Sequence, residues 1–423
     1  MSANQELFEL KFYEWEEKFK DKPYLRQPIG EKWEEYTWGQ VGDMARRLAS
    51  GLKSLNLREG AHIGIYSKNC REWIISDLAI VMAGYVSVPF FPSLNGKELS
   101  YIMDYGDVDA LFIGKIETWD EIKNDLPAEM PIIRFPKYDG CSNVTIGHEW
   151  HEFINSHNPI QNPNTPKLSD LWTIIFTSGT TGNPKGVVLT HLNLLSDAMS
   201  ISTWFKFNNE TRCLCILPLF HNNGQITTLL APLYAGGSTV IVKGKISLYA
   251  FWDLVNEFDA TWTSVMASIL SILLSLPNER KENSLSAILC GGQILTRSVQ
   301  EQFESRFNVP IFEGYGLTET TSFSCINNFP AEKRITGSIG KSLSTNEIAI
   351  LDEKNEAVGE NIEGEICIRG YNVANGHLGD SKMNQAFRNG WFHSGDYGKK
   401  DQEGNFYFHG RQDSLIILSL IHI

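Results

Sequence analysis

The chain has no excess of positive charge: 37 Lys and Arg stand against 50 Asp and Glu, a formal net charge of −13 over 423 residues. Proteins that hold a nucleic acid backbone or an anionic membrane by charge carry the opposite balance, so nucleic acid is not expected as a partner. The seven cysteines (Cys70, Cys141, Cys213, Cys215, Cys290, Cys325 and Cys367) form no CxxC pair. An odd, scattered set points to reduced thiols and a cytoplasmic setting, away from a disulfide framework or a zinc site. The N-terminal residues lack the basic segment and following apolar stretch of a secretory signal. The longest apolar run, Leu78 to Phe91, is broken by Gly84 and Pro89 and is too short to span a bilayer, which leaves peripheral contact as the only membrane association open. Internal repeats and low-complexity segments are absent.

What is present is the composition of an ordinary globular protein, 42% hydrophobic and 21% charged, with 11 Trp and 23 Phe. At about 150 residues per domain the length allows two or three compact units. Thr37-Trp38-Gly39-Gln40 reads as a capping box, after which Val41, Met44, Ala45, Leu48 and Leu52 recur at helical spacing. A buried strand at 63–66, a helix over 73–83 and a strand at 85–88 closed by Pro89 follow. This strand–helix–strand crossover implies an α/β fold with parallel pairing. Further strands are expected at 110–113 and 132–135, and the Asn/Pro-rich segment 155–166 reads as an exposed connector. A strand at 172–176 opens a second block. Its alternation continues through 214–217, 238–242, 261–265 and 287–289, with apolar helical stretches such as 268–276 between. After about residue 335 the pattern turns to short strands punctuated by glycine (347–351, 365–369, 405–409), a small β-rich unit.

The most informative segment is Phe176-Thr177-Ser178-Gly179-Thr180-Thr181-Gly182-Asn183-Pro184-Lys185-Gly186, set between a buried strand and the strand 187–189. Clustered hydroxyls, two glycines that let backbone amides converge, and one lysine make a receptor for a polyphosphate. It is not a Walker A loop, because Pro184 stands where that motif needs a glycine before the lysine. Thr190 is placed to cap the next helix, on which Leu192, Leu195 and Met199 share a face.

TSGTTGNPKG resembles the signature of the adenylate-forming, or AMP-binding, enzyme superfamily, and further matches arrive in that family's order. They are Leu217-Pro218-Leu219-Phe220-His221, Tyr315-Gly316-Leu317-Thr318-Glu319, Gly390-Trp391-Phe392-His393-Ser394-Gly395-Asp396, and Gly410-Arg411-Gln412-Asp413. The resemblance covers roughly residues 30 to 417 and is closest to acyl-CoA synthetases of the fatty acid–CoA ligase kind. It implies two α/β subdomains with mixed or parallel sheets flanked by helices, plus a small distorted β-barrel. The first subdomain would span about 55–205, the second about 10–54 with 206–334, and the small β unit about 335–410, together an N-terminal catalytic unit over 1–413.

By the same resemblance, Thr177, Ser178, Gly179, Thr180, Thr181, Gly182 and Lys185 hold the β- and γ-phosphates of ATP, and Thr180 with Glu319 binds Mg²⁺. Tyr315 stacks on adenine inside a wall of Gly291, Gly292, Gln293, Glu313, Gly314 and Gly316. Asp396 accepts from the ribose hydroxyls, with Arg411 as a complementary donor. Lys185, His221, Thr318 and Glu319 are the catalytic candidates, His221 shaping the acyl pocket and shifting when CoA arrives. Asn222 to Gln225, Ser264 to Ser268 and Gly316 to Thr321 are expected to line that pocket. Taken singly, a buried Tyr or His is more often plain core, and Asp396 in Ser-Gly-Asp a plain turn residue.

The implied reaction couples a carboxylic acid to ATP, giving acyl-adenylate and pyrophosphate, and then transfers the acyl group to CoA. Uncharged Asn222 and Asn223 stand where amino-acid-activating relatives carry an Asp, which disfavours an amino acid. Val265, Met266, Ile269 and Leu270 offer apolar surface suited to a fatty acyl chain, or else form helix core. An acyl-AMP ligase that loads a carrier protein, and a non-catalytic nucleotide- or acyl-binding relative, stay open beside the acyl-CoA synthetase. In the family a hinge at the position of Asp413 leads into a smaller domain that supplies an adenylation lysine and completes the CoA site. Here ten residues follow, read as a truncated hinge and an artefactual tail. The final hexapeptide Leu418 to Ile423 is also what the end of a transposon used in sequencing-library preparation encodes. Reduced adenylation and little thioester formation are the expectation for the chain as it stands.

Overall fold

The computed structural model describes residues 8–29, 32–177, 184–242, 248–277, 282–379 and 383–411, with the backbone of 417–418 and 421–422. The hinge residues Gln412 and Asp413 lie outside this set. Three large sheets, beside a two-stranded pair of Ile417–Leu418 with Ile421–His422, organise the described residues. A seven-stranded sheet runs from edge to edge as His148–Glu149, Ile132–Arg134, Val108–Ile113, His62–Tyr66, Val86–Phe90, Leu171–Thr177 and Lys185–Thr190. All neighbours are parallel except the last pair, an antiparallel hairpin. A nine-stranded mixed sheet takes Pro23–Ile29, Lys32–Thr37 and seven strands between Arg212 and Ser342. A third, antiparallel sheet of five strands begins at Asn346 and ends at Arg411. The fold is therefore α/β with mixed sheets and a curled antiparallel unit.

Two details differ from the sequence pattern. Lys341–Ser342 still pairs with Cys325–Ile326 in the nine-stranded sheet, so the small sheet starts later than the change in composition at 335. Pro89 does not close its strand: Val86–Phe90 runs through it, with Ile65 opposite Pro89. A proline inside a sheet is tolerable here because pairing to Leu171–Thr177 is limited to Ser87 opposite Thr173, so no ladder on that side needs the missing N–H.

The helix Arg71–Met82 buries all of its twelve residues. Beyond Arg71 and Glu72 in its first turn its sequence is largely apolar on every face, which suits a helix enclosed by protein on all sides. Ser76 and Asp77 are the polar residues further in. Asp77 Oδ2 accepts from Trp172 Nε1 and from Gln225 Nε2, each at 3.2 Å, and so ties a strand of the seven-stranded sheet to the helix beside the nine-stranded one. Burial lifts the Asp77 carboxyl to about 6.

The helix His191–Trp204 follows the hairpin and is almost as enclosed. Thr190 and Asn193 close a capping box, which satisfies amides the first helical turn leaves unpaired. Asn193 also reaches beyond its own helix, where its Nδ2 donates to the carbonyls of Tyr371 (2.8 Å) and Val373 (2.9 Å) and pins the loop that leaves the small sheet. Asn193→Ala removes its half of the capping box and leaves two carbonyls short of a donor, so it should lower stability by about 2–4 kcal/mol in urea unfolding. A loss under about 1 kcal/mol would mean water replaces the amide there.

Candidate functional site

Two cavities of about 380 Å³ each adjoin one another, and Gly292, Gly316 and Leu317 belong to the walls of both. Glycine is needed at Gly316 because a Cβ there would overlap the carbonyl oxygen of Ser322. The two segments carrying these residues follow parallel neighbours, Ala287–Cys290 and Ile311–Tyr315, and both therefore emerge at the carboxyl end of the nine-stranded sheet.

The first cavity is built around Tyr315, the last residue of its strand. Its hydroxyl donates to Asp396 Oδ2 at 2.7 Å. Asp396 and Arg411 face each other across antiparallel strands, and Arg411 Nε lies 3.2 Å from Asp396 Oδ1. Burial raises the Asp396 carboxyl, while the Tyr315 hydroxyl and Arg411 charge pull the other way. Gln293, Glu313 and Gly314 complete this wall, and Gly291 instead faces the second cavity. The Glu313 carboxylate accepts from the Leu295 amide at 3.4 Å and is lifted by burial to about 7.

A clamp under Asp396 has no signal in the motif itself. Glu365 Oε2 meets His393 Nδ1 at 2.8 Å, and its Oε1 accepts from the Gly395 amide at 3.0 Å. One carboxylate thus fixes the turn just before Asp396, where Gly395 adopts φ +71. Cys367 Sγ is 3.3 Å from the same imidazole nitrogen. These three side chains could in principle gather a metal ion. Because His393 Nδ1 is already engaged by Glu365, the arrangement is that of a hydrogen-bonded clamp.

The second cavity is lined by His221, Asn222, Asn223, Met266, Thr318 and Phe323 among others. Asn69 sets the approach to His221: its Nδ2 donates to the Leu217 carbonyl (2.9 Å) and its Oδ1 accepts from the Leu219 amide (2.8 Å). Gly224 lets the chain turn directly beneath, since a Cβ would overlap the Pro218 carbonyl oxygen. A π-helix, Asn223–Leu230, follows, a rare form that recurs at functional sites. The His221 ring contacts Phe91 edge-on and Phe220 in a tilted pair, both at 4.9 Å, and desolvation lowers its pKa, which favours the neutral imidazole.

Other expected lining residues lie elsewhere. Thr320 and Thr321 are fully buried, the latter bonded to the Asn372 carbonyl. Ser264 is buried and supports Asn223, while the Ser268 amide donates to Gln293 Oε1. Val265 and Leu270 are fully enclosed in core, and of the four apolar residues singled out as acyl surface only Met266 reaches the cavity.

Lys185 opens its strand opposite Thr177, so both stand at the neck of the hairpin. Ser178, Gly179, Thr180, Thr181 and Gly182 lie outside the described residues. Residues 376–378 run along this strand, with Val188 donating to Gly376 and Leu378 to Gly186. His377 is thereby brought to Glu319, its Nε2 3.2 Å from Oε1, while Ala374 donates to the Glu319 carbonyl. His377 sits in no recognisable motif, and only the folded register joins it to Glu319.

Residues 12–378 match the AMP-binding enzyme family. The chain belongs to that family. It is 30% identical over 389 residues to an oxalate–CoA ligase of Arabidopsis thaliana, covering 90% of this chain and 74% of that one. It is 28% identical over 407 residues to a sulfoacetate–CoA ligase of Cupriavidus necator, covering 94% and 76%. In fold it resembles an anthranilate CoA ligase in complex with anthranoyl-AMP, at a TM-score of 0.90 and 21% identity, over all of this chain and 82% of the other. Among the described residues, no helix is long and apolar enough to cross a membrane.

Glu313 gives this wall a pH signature. Its pKa in the fold is raised from 4.5 to about 7, so the folded state holds the proton more tightly than the unfolded chain. The associated stability is present below pH 4.5 and is lost as pH rises towards 7, on the order of 3 kcal/mol in all. Glu313→Gln should therefore stabilise the protein relative to wild type more at pH 8 than at pH 5 in urea unfolding. An equal shift at both values would refute burial as the cause.

Proposed function

We propose that the chain is an AMP-forming acyl-CoA synthetase. The observation that carries this reading is the shared wall: one cavity offers a stacking ring with a carboxylate and a guanidinium, the other an uncharged pocket, and Gly292, Gly316 and Leu317 stand between. A nucleotide in the first and an acid in the second would meet at that wall. The acid carboxylate oxygen then attacks the α-phosphorus, the bond to the pyrophosphate oxygen breaks, and acyl-adenylate forms. In the second step the CoA sulfur attacks the acyl carbon, AMP leaves, and the thiol proton is released. CoA is preferred to a carrier protein as acceptor because the relatives are CoA ligases.

Tyr315 would stack on adenine, with Gln293, Glu313 and Gly314 around its edge, and Asp396 would accept from the ribose hydroxyls, exchanging its contact with Arg411 for theirs. Thr177, Lys185 and the loop between them would hold the β- and γ-phosphates. Glu319, joined by Thr180 of the loop, would offer oxygen donors suited to Mg²⁺, which when bound would neutralise phosphate charge. Glu319 has a fixed backbone and one carboxylate oxygen on His377, so its position is set before any ligand enters. His221 would bound the acid opposite the shared wall. The fatty-acid reading draws on Met266, Leu217 and Phe323, the apolar residues that do line the pocket.

The test is pyrophosphate release from ATP over a panel of carboxylic acids, with and without CoA. Acid-dependent release is expected, and its absence across the panel sinks the proposal. Asp396→Ala should weaken ATP binding about 10- to 100-fold. Glu365→Ala should weaken it about tenfold, an effect that disappears with 2′,3′-dideoxy-ATP if the clamp acts through the ribose contact. Equal losses for ATP and its dideoxy analogue would assign Glu365 a general structural role instead.

A further inference from the structure

We propose that the acid taken by the second cavity has an uncharged acyl part carrying a hydrogen-bonding oxygen, such as a hydroxy, oxo or hydroxyaryl monocarboxylic acid. This rests on the synthetase reading above and concerns the chemistry of its pocket.

The first support is the charge of the wall. Among the described residues lining this cavity there is no Lys, Arg, Asp or Glu. The one titratable side chain is His221, whose partial desolvation favours the neutral imidazole. A second carboxylate, a sulfonate or an ammonium on the acyl part would be enclosed without a counter-charge, a strongly unfavourable arrangement. Oxalate and sulfoacetate, in the names of the two relatives, each carry a second negative charge; this wall offers nothing to pair with it.

The second support is spare hydrogen-bonding capacity. Asn222 is 6% exposed, and neither its Oδ1 nor its Nδ2 has a partner. A buried amide with both ends unmatched is rare, and it points to a group that arrives with the ligand. Asn223 beside it has one end of its amide tied down, to the hydroxyls of Ser264 at 2.7 Å and Thr227 at 3.0 Å. Among the described residues nothing bonds the other end. Two neighbouring residues of the cavity wall thus carry amide groups without partners among the described residues, Asn223 being held in place by Ser264 and Thr227; the rest of the lining includes Leu217, Met266, Phe323, Thr318 and Ser322. An unbranched alkyl acid would fill the apolar sides and leave both amides unmatched; an oxygen on the acyl part would satisfy them. Sites built to bond a substrate hydroxyl discriminate strongly against the analogue without it.

Non-hydrolysable acylsulfamoyladenosines test this on the full chain without turnover. Four are compared by calorimetry, matched in acyl length: n-alkyl, hydroxyalkyl, carboxyalkyl and trimethylammonioalkyl. The hydroxyalkyl compound should bind at least tenfold tighter than the alkyl one, and both charged compounds at least tenfold weaker than the alkyl one. Asn222→Leu and Asn223→Leu should each shrink the ratio of hydroxyalkyl to alkyl affinity; should either variant fail to fold, the wild-type series decides. Equal binding of hydroxyalkyl and alkyl compounds, or tightest binding of a charged one, overturns the inference and leaves the synthetase reading standing. Binding of none of the four overturns the synthetase reading itself.

Discussion

Asp197 lies sealed in the helix His191–Trp204, and its Oδ2 accepts from the Phe323 amide at 3.1 Å. The rest of the site hangs on that contact. Phe323 is the residue whose ring occupies the space that a Cβ on Gly291 or Gly314 would need. These two glycines belong to the segments that form the walls of the two cavities. A single side chain in a buried helix therefore sets the depth of an aromatic ring, and the ring sets how closely two strand ends approach. Burial raises the Asp197 carboxyl far above its usual range, and its Oδ2 accepts from the Phe323 amide in a dry environment where water cannot compete.

The same logic recurs wherever the fold joins its sheets. Asp77 joins Trp172 to Gln225, Asn193 joins the hairpin helix to the loop at Tyr371 and Val373, and Asn69 brackets the turn leading to His221. Each of these polar groups sits in apolar surroundings with partners on another element. Apolar packing alone would tolerate small slides between sheets; a buried polar group does not, because a displaced partner leaves it unmatched at a penalty of about 1–3 kcal/mol. Precision at the cavities thus comes from a few enclosed amides and carboxylates set inside a large non-directional core.

Local signals were readable before folding, and for a physical reason. The capping boxes at Thr37 and Thr190 depend on residues three apart, and the strands at 63–66 and 172–176 depend on unbroken apolar runs. Tyr315, Asp396 and Arg411 could be named from their motifs and do meet at one cavity. What could not be read is which distant partner each one finds. His377 reaches Glu319 only because 376–378 lies along the strand Lys185–Thr190, and Glu365 reaches the turn before Asp396 only through an antiparallel register with a bulge. Val265 and Met266 are adjacent and similarly apolar, yet one faces core and the other the cavity, because successive residues of an extended chain point to opposite sides.

That last contrast bears on how a shared fold comes to serve different acids. The wall common to both cavities is mostly backbone, Gly292 and Gly316 together with Leu317, and leaves little side-chain chemistry to vary. The outer walls of the second cavity are side chains, on the turn after His221 and on the strand end at Met266. Changing Asn222 or Met266 alters neither a sheet register nor any of the buried anchors at Asp77, Asn193 or Asp197. On the proposed synthetase reading, acid selection can therefore change without disturbing the frame that holds the shared wall.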